Sequence, residues 1–180
     1  MILGTYCPKS GEEITLRLIK KEDAPLLVDL FHHLSFETKR LRFHLFTEKL
    51  PEERIWQEAL ALADLDPQRQ VAIMASIIED DGEEHAIGVA RFARASVEET
   101  EAEVAIVVRD DFQRKGVARC LLNYLAEKAR ELGLTHFSGW VMADNIRLMK
   151  LIRSLEVPLE TEVRHGYRKV RAPLKVEQND

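Results

Sequence analysis

The stretch VVRDDFQRKGVARCLLNYLAEKAREL, Val107 to Leu132, contains the end of an apolar strand, a charged loop and an amphipathic helix. The loop places Arg114, Lys115 and Gly116 directly before the helix. A helix N-terminus carries unpaired N–H groups and a partial positive charge, so a loop before it can direct several amides at one anion. Because glycine has no side chain, a phosphate can approach its backbone closely. The segment Gln113–Ala118 therefore predicts a phosphate-binding loop at the carboxyl end of a buried strand.

A lone glycine between a strand and a helix also has a simpler explanation, which is a tight turn. The P-loop pattern requires a second glycine and a Lys-Ser/Thr pair, and the dinucleotide-binding pattern requires three glycines, whereas this loop has only Gly116. Positive charge favours phosphate, because Arg114, Lys115 and Arg119 surround the glycine and arginine can bind phosphate bidentately. From the residues alone, both interpretations stay open.

The composition is that of an ordinary globular domain. The chain has 180 residues, of which 46% are hydrophobic and 32% charged, so we expect one domain over residues 1–174 and a frayed polar tail over 175–180. A net charge of −5 argues against a general nucleic-acid binder. No apolar run approaches the roughly 18 residues that span a bilayer, and no basic leader is present, so we expect a cytoplasmic protein. The cysteines and histidines lack metal-ligand spacing, and we expect no metal.

Hydrophobic periodicity predicts an α/β fold with a mixed sheet. Ser35 is expected to cap a helix, Gly133 to end the long helix, and turns at 80–82 and 165–166 to form two hairpins. The predicted strands lie around 14–18, 70–80, 85–95, 101–108 and 134–143, with a hairpin over 159–174; the predicted helices lie at 24–34, 35–46, 52–64, 117–132 and 145–155.

The loop Gln113–Ala118 resembles the Q/R-x-x-G-x-G/A loop of the GNAT superfamily of N-acetyltransferases. The order of elements from Ile14 to Leu174 is also similar to that family. The resemblance implies a GNAT fold, in which helices flank a central, mixed and mostly antiparallel sheet. It also implies that an acetyl group passes directly from acetyl-CoA, as cosubstrate, to an amine.

In that family the loop binds the pyrophosphate of acetyl-CoA, the preceding strand carries the pantetheine arm, and an Asn often follows the next strand. The resemblance therefore implies the following cofactor-binding residues: Val107, Val108, Gln113, Arg114, Lys115, Gly116, Val117, Ala118, Arg119 and Asn145. Asn145 also stands where it would cap the next helix, and the two roles are compatible.

A narrower resemblance lies in Leu34–Thr38 followed by Arg42-Phe43, in Ala102–Ala105 and in Gly139–Asn145. These stretches are similar to GNAT domains of bacterial protein lysine acetyltransferases, which often carry a fused acyl-CoA-synthetase-like region or nucleotide sensor. The resemblance implies a protein lysine as acceptor, for example on an acyl-CoA synthetase, and we expect a stand-alone catalytic domain. A small-molecule amine acetyltransferase and a non-catalytic acyl-CoA-binding sensor remain alternatives.

Glu103 is the candidate general base, because the protein-acetylating subgroup carries its proposed base at this position. Strand alternation places Glu103 on the same face as Ala105 and Val107, and we expect these apolar neighbours to desolvate the carboxylate. The simpler alternative is a glutamate near the start of a strand that reaches solvent.

Two positions differ from the family pattern. Many members have a Tyr that reprotonates the leaving thiolate where this chain has Ile152, which cannot donate a proton. Tyr167 is a candidate substitute. Trp140 stands where the protein-acetylating subgroup tends to have Glu, and we expect its side chain to lie in the core beside the cofactor groove.

Overall fold

One mixed sheet organises the computed structural model, which describes residues 1–9, 11–44 and 50–174. Its eight strands are β1 (Ile2–Tyr6), β2 (Ile14–Leu18), β3 (Gln70–Ile78), β4 (Glu84–Ala93), β5 (Glu101–Val108), β6 (His136–Met142), β7 (Glu160–Arg164) and β8 (Tyr167–Pro173). The α-helices within these residues are α1 (Ala24–His33), α2 (Phe36–Phe43), α3 (Glu52–Ala63), α4 (Val117–Glu131) and α5 (Ile146–Arg153).

The strand order is β1-β2-β3-β4-β5-β6-β8-β7, and β5 with β6 is the one parallel pair in this sheet. The predicted mixed, mostly antiparallel sheet with flanking helices is therefore confirmed. A parallel pair needs a long crossover connection, and α4 supplies it. None of the helices in the described ranges is both long and apolar enough to cross a membrane.

Helices cover both faces of the sheet. On the face that we call the α4 face, Phe92 and Ala102 pack against Leu121 of α4. On the opposite face, the α1 face, Met74 and Val89 pack against apolar residues of α1 and α3. Alternation along each strand decides which side chains reach which face, so Glu103, Ala105 and Val107 share the α1 face.

Local sequence signals place most element ends correctly. Ser35 Oγ accepts a hydrogen bond from Thr38 N at 3.2 Å and caps α2, and Gly133, at φ 77°, follows the last turn of α4. Both predicted hairpins form, β3–β4 and β7–β8. The structure ends α2 at Phe43; positions 45–46 of that predicted helix, and the predicted polar tail over 175–180, lie outside the described residues.

The edge strand β1 is absent from the sequence prediction. Its sequence, ILGTY, has no clear alternation and contains a glycine, so local propensity does not indicate a strand. Pairing with β2 from Ile2 to Tyr6 forms it, and Gly4 lets the Tyr124 hydroxyl of α4 approach its backbone, where a Cβ atom would clash. Tertiary contacts therefore determine this strand.

His85 joins the β3–β4 hairpin to α1. Its Nδ1 lies 2.9 Å from Asp29 Oδ2 of α1, and its Nε2 lies 3.0 Å from Asp81 Oδ2 in the hairpin turn. Both ring nitrogens donate together only in imidazolium. The hydrogen bonds to Asp29 and then Asp81 consequently raise the pKa of His85 to about 8.

This raised pKa makes stability depend on pH. The contribution of His85 is complete below its ordinary pKa of about 6.5 and is lost as the pH rises through about 8. Solvent screening limits it, and we expect the free energy of unfolding to fall by about 1 kcal/mol between about pH 6 and pH 9. Urea unfolding of wild type and His85→Gln across that range measures the effect. His165→Asn, in the other hairpin turn, is the control; a pH dependence equal in wild type and His85→Gln would contradict the prediction.

Candidate active site

A groove opens between β5 and β6. The two strands pair only at Glu101–Glu103 with His136–Ser138, while β5 continues to pair with β4 up to Val108 and β6 pairs with β8 along its whole length. At Gly139 a Cβ atom would lie 3.1 Å from the Val104 carbonyl oxygen, so the strands are still close there. Beyond this point no backbone pairing joins the two strands, so the groove lies toward their carboxyl ends.

The predicted phosphate-binding loop lies at the carboxyl end of β5. Arg114 and Gly116 both adopt left-handed backbone conformations, with φ 62° and 87°. The Tyr6 hydroxyl of β1 donates a hydrogen bond to the Lys115 carbonyl oxygen at 2.7 Å. A Cβ atom on Gly116 would clash with that hydroxyl, so both the conformation and the contact require glycine.

The loop presents unpaired amides at the start of α4. The first hydrogen bond of the helix runs from Cys120 N to the Gly116 carbonyl oxygen, at 3.0 Å. The N–H groups of Val117, Ala118 and Arg119 precede it and have no acceptor within the helix. Together with the helix dipole, these donors form a site that suits an anion.

The Gln113 side chain holds the loop against its surroundings. Its Nε2 donates to the Val108 carbonyl oxygen at 3.1 Å and to Thr38 Oγ1 at 3.3 Å. Its Oε1 accepts from Arg147 Nη1 of α5 at 3.1 Å. Gln113 therefore links the end of β5 to α2 on one side and to α5 on the other.

The cations of the loop differ in their surroundings. Lys115 Nζ forms an ion pair with Glu12 Oε1 at 2.9 Å, and Arg119 Nη2 donates to Ser154 Oγ at the end of α5 at 2.7 Å. The side chain of Arg114 is exposed. Within the described residues, Arg114 is therefore the loop cation that can bind an incoming anion without first breaking an interaction with the protein.

Asn145 begins α5, where its Oδ1 accepts a hydrogen bond from Leu148 N at 3.1 Å. Asn145 is buried and so its capping role is structural, whereas its part in cofactor binding stays a prediction. The two candidate valines of β5 lie on opposite faces: Val107 packs toward the α1 face and Val108 is buried on the α4 face.

Glu103 lies on the α1 face near the closed end of the groove, and its side chain is exposed. The expectation that Ala105 and Val107 desolvate it was wrong for the chain on its own, because Glu103 is exposed even though β6 still pairs with β5 at this residue. Trp140 on β6 is 44% exposed. The prediction that Trp140 lies in the core was also wrong, since it shares the open α1 face with Glu103.

Helix α2 crosses the groove on the α1 face. Asp110, which follows β5, accepts hydrogen bonds from residues at the start of α2: Ser35 N, Ser35 Oγ and Thr38 Oγ1, at 2.8–2.9 Å. Burial acts to raise the pKa of Asp110, but these hydrogen bonds lower it below its usual range. Further along, Arg40 Nη2 donates to Asp144 Oδ2, in the loop after β6, at 2.9 Å. Helix α2 is therefore hydrogen-bonded to the segments that follow β5 and β6, on both sides of the groove.

The two ends of the groove differ chemically. Amides and Arg114 at the carboxyl end suit a phosphate, and Glu103 at the other end suits proton transfer. In the residues that the structure describes, no three His, Cys, Asp or Glu side chains are placed to hold a metal ion. The arrangement fits an elongated molecule with an anionic portion at one end and a reactive group at the other.

The model of the acetyltransferase (GNAT) family matches residues 31–156. The chain belongs to this family. An acetyltransferase of Pseudomonas aeruginosa is 31% identical over 125 residues, which are 68% of this chain and 63% of that protein. The acetyltransferase Pat of Mycolicibacterium smegmatis is 36% identical over 69 residues, 38% of this chain and 21% of Pat.

The GNAT domain of S. lividans PAT, known from a crystal structure, is 26% identical with a TM-score of 0.81, and the match covers 95% of this chain and 96% of that domain. The chain thus spans less than two thirds of the two curated relatives but nearly all of this GNAT domain. The comparisons confirm the predicted family, which is a family of acetyltransferases, and the GNAT fold.

In the chain described here, Ile152 occupies the position where the family resemblance suggests a Tyr. Ile152 packs with Val141, Met149 and Val170 in a small apolar cluster between α5 and the sheet. Tyr167, the candidate substitute, contacts the His44 ring in a tilted arrangement with ring centroids 5.0 Å apart. The structure therefore gives Ile152 a packing role.

Sequence reasoning missed several residues that shape the GNAT site. Tyr6 was not considered because β1 was not predicted, and Thr38 and Arg147 contact Gln113 only through the tertiary fold. Arg147 carried a usable signal, since a cation in the first turn of a helix opposes the helix dipole. Such an unfavourable placement suggests a specific partner.

The Tyr6–Gly116 contact can be tested by a double-mutant cycle. Tyr6→Phe removes the hydrogen bond to Lys115 and is expected to cost about 1 kcal/mol of unfolding free energy. Gly116→Ala introduces both left-handed strain and a clash, at about 2 kcal/mol or more. In the double variant the clash partner is gone, so the combined cost should fall below the sum of the two. Chemical denaturation measures each value; strictly additive costs would contradict this contact.

Proposed function

We propose that the chain transfers the acetyl group of acetyl-CoA directly to an amine, and that this amine is a lysine side chain of a protein. The observation that carries the proposal is the position of the α4 N-terminus at the open end of the groove between β5 and β6. The pyrophosphate of acetyl-CoA would bind the N–H groups of residues 117–119 beside Gly116. The pantetheine arm would lie along Val107 and Val108, which are beyond the three residues of β5 that pair with β6.

Side chains around the loop would take different parts in binding. Arg114 is exposed and would contact phosphate oxygens, to which arginine can donate two hydrogen bonds. Lys115 and Arg119 would add positive charge from positions held by protein partners. Gln113 and Asn145 would keep the loop and α5 in place around the cofactor.

The exposed α1 face supports a protein as the acceptor. Trp140 is 44% exposed on this face, and all five residues of the edge strand β7, which β8 separates from β6, are exposed. An open surface suits a folded partner, whose remote contacts can position one lysine. A small amine is instead expected to require a pocket that encloses it. The subgroup resemblance favours a partner such as an acyl-CoA synthetase.

The proposed reaction requires a proton acceptor at the acyl end. A lysine, with a pKa of about 10.4, arrives as an ammonium and cannot attack until it loses a proton. Glu103 would take that proton, directly or through water, and the free amine would then attack the thioester carbonyl. The C–S bond breaks, and coenzyme A leaves as a thiol after protonation. Glu103 and Val108 are roughly 17 Å apart along the strand, a length comparable with an extended pantetheine arm.

One observation favours a second candidate function, a sensor that binds acyl-CoA without turnover. Ile152 has no proton to donate and packs in an apolar cluster where many relatives have a Tyr. Turnover with an amine separates the two candidates.

Acetyl-CoA binding is the first expected outcome. At 100 times its Kd, acetyl-CoA should raise the free energy of unfolding by roughly 2.7 kcal/mol. Arg114→Asn keeps a residue that tolerates the left-handed conformation but removes the cation, and should lower this stabilisation. Arg54→Gln on α3 makes the same change of charge outside the loop and should not. Thermal denaturation measures all three proteins; equal stabilisation of Arg114→Asn and wild type would remove Arg114 from the site.

Glu103→Gln tests the base. It retains the shape of the side chain but not the proton acceptor, and kcat should fall by roughly 10²–10⁴ while acetyl-CoA still stabilises the protein. Glu101→Gln, on the same strand and face, is the matched control and should keep its activity. The assay supplies labelled acetyl-CoA with a cell lysate and follows label into protein and into small molecules. Label on small amines alone would favour a small-molecule enzyme; binding without turnover would favour the sensor; near-wild-type kcat in Glu103→Gln would exclude Glu103 as the base.

A further inference from the structure

Two arginines flank Glu103 on the α1 face. Arg91 of β4 pairs in register with Ala105 of β5, two residues along from Glu103 and on the same face. Arg42 lies on α2, the helix that crosses this face, and acts electrostatically on both Arg91 and Glu103. The three charged groups therefore form one cluster at the end of the groove where the acyl group would lie.

The environment of this cluster disfavours its positive charge. Burial, followed by repulsion from Arg91, lowers the pKa of Arg42 to about 10, although Glu103 acts to raise it. Burial also lowers the pKa of Arg91, against the attraction of Glu103. The Nε atom of Arg42 is buried and has no hydrogen-bond partner. Such groups are unfavourable unless they are paired.

Other arginines of the protein show the contrast. Several bind carboxylates through short ion pairs of 2.6–3.1 Å, namely Arg17, Arg40, Arg109 and Arg171. Throughout the described ranges, Arg42 and Arg91 form no such ion pair, and Arg42 instead lies 5.0 Å from the ring centroid of Phe43. Two guanidinium groups beside one carboxylate leave one positive charge without a counterion.

We propose that Arg42 and Arg91 form a binding site for a carboxylate that one of the two reacting molecules brings into the groove. One carboxylate neutralises the cluster, gives the buried Nε an acceptor and matches the planar, two-donor geometry of arginine. The inference rests on the proposed function, because only then does the reactive end of the substrates lie beside Glu103. The carboxylate belongs either to the acceptor, beside its amine, or to the far end of the acyl chain.

The experiment has two arms with matched ligands. In the acyl arm, glutaryl-CoA is compared with pentanoyl-CoA, which has a methyl group in place of the carboxylate. The acceptor arm uses acetyl-CoA and two pairs of lysine peptides. One pair has Glu or Gln beside the lysine, and the other has a C-terminal carboxylate or a carboxamide. Thermal stabilisation and kcat/KM are measured for each pair.

Wild type should prefer the carboxylate-bearing member of one arm by about tenfold. The preference should disappear in Arg42→Met and Arg91→Met, and persist in Arg164→Met, which changes an arginine of β7. Because the charged guanidinium of Arg42 is desolvated, the Arg42→Met protein should be no less stable to denaturant than wild type. If the Arg42→Met protein is less stable, Arg42→Gln replaces it in the experiment. Stabilisation by acetyl-CoA with no preference in either arm, or a preference that survives both Met variants, would overturn the carboxylate site alone. No stabilisation of wild type by acetyl-CoA would overturn the proposed function and this site with it.

Discussion

The short parallel pairing of β5 with β6 is the constraint on which the site depends. Because the two strands are hydrogen-bonded over three residues only, each keeps its antiparallel neighbour while the pair splits toward its carboxyl ends. A parallel pair requires a crossover, and α4 provides it, so the N-terminus of α4 must start beside the split. The groove and the helix N-terminus at its end are thus two consequences of one topological feature.

A split sheet needs connections across the opening, and polar side chains provide them. Asp110 fixes the first turn of α2, and Arg40 joins the same helix to Asp144 on the far side. Gln113 links the end of β5 with Arg147 of α5. These contacts replace the backbone hydrogen bonds that β5 and β6 do not make, and they leave the groove itself open to a ligand.

Prediction from sequence succeeded where the signal was local. Ser35 and Gly133 mark helix ends through capping and left-handed backbone, which depend on a few neighbouring residues. It failed where distant parts of the chain decide. Gly4 lies in a strand only because β2 and Tyr124 hold it, and Trp140 is exposed because β6 leaves β5. Hydrophobic character alone gives no information on where a sheet opens.

The groups proposed to bind the cofactor and the groups proposed to act on the acceptor lie on opposite faces of the sheet. The predicted phosphate-binding loop and α4 lie toward the α4 face, whereas Glu103, Arg42 and Arg91 lie toward the α1 face. Cofactor and acceptor would therefore meet through the split from opposite sides. On its own the chain leaves Glu103 in contact with solvent. An acceptor that docks on the α1 face would exclude this water and strengthen every charge interaction in the cluster. The chemistry at Glu103 would therefore depend on a well-fitting acceptor, and selectivity would arise from the same contact that completes the site.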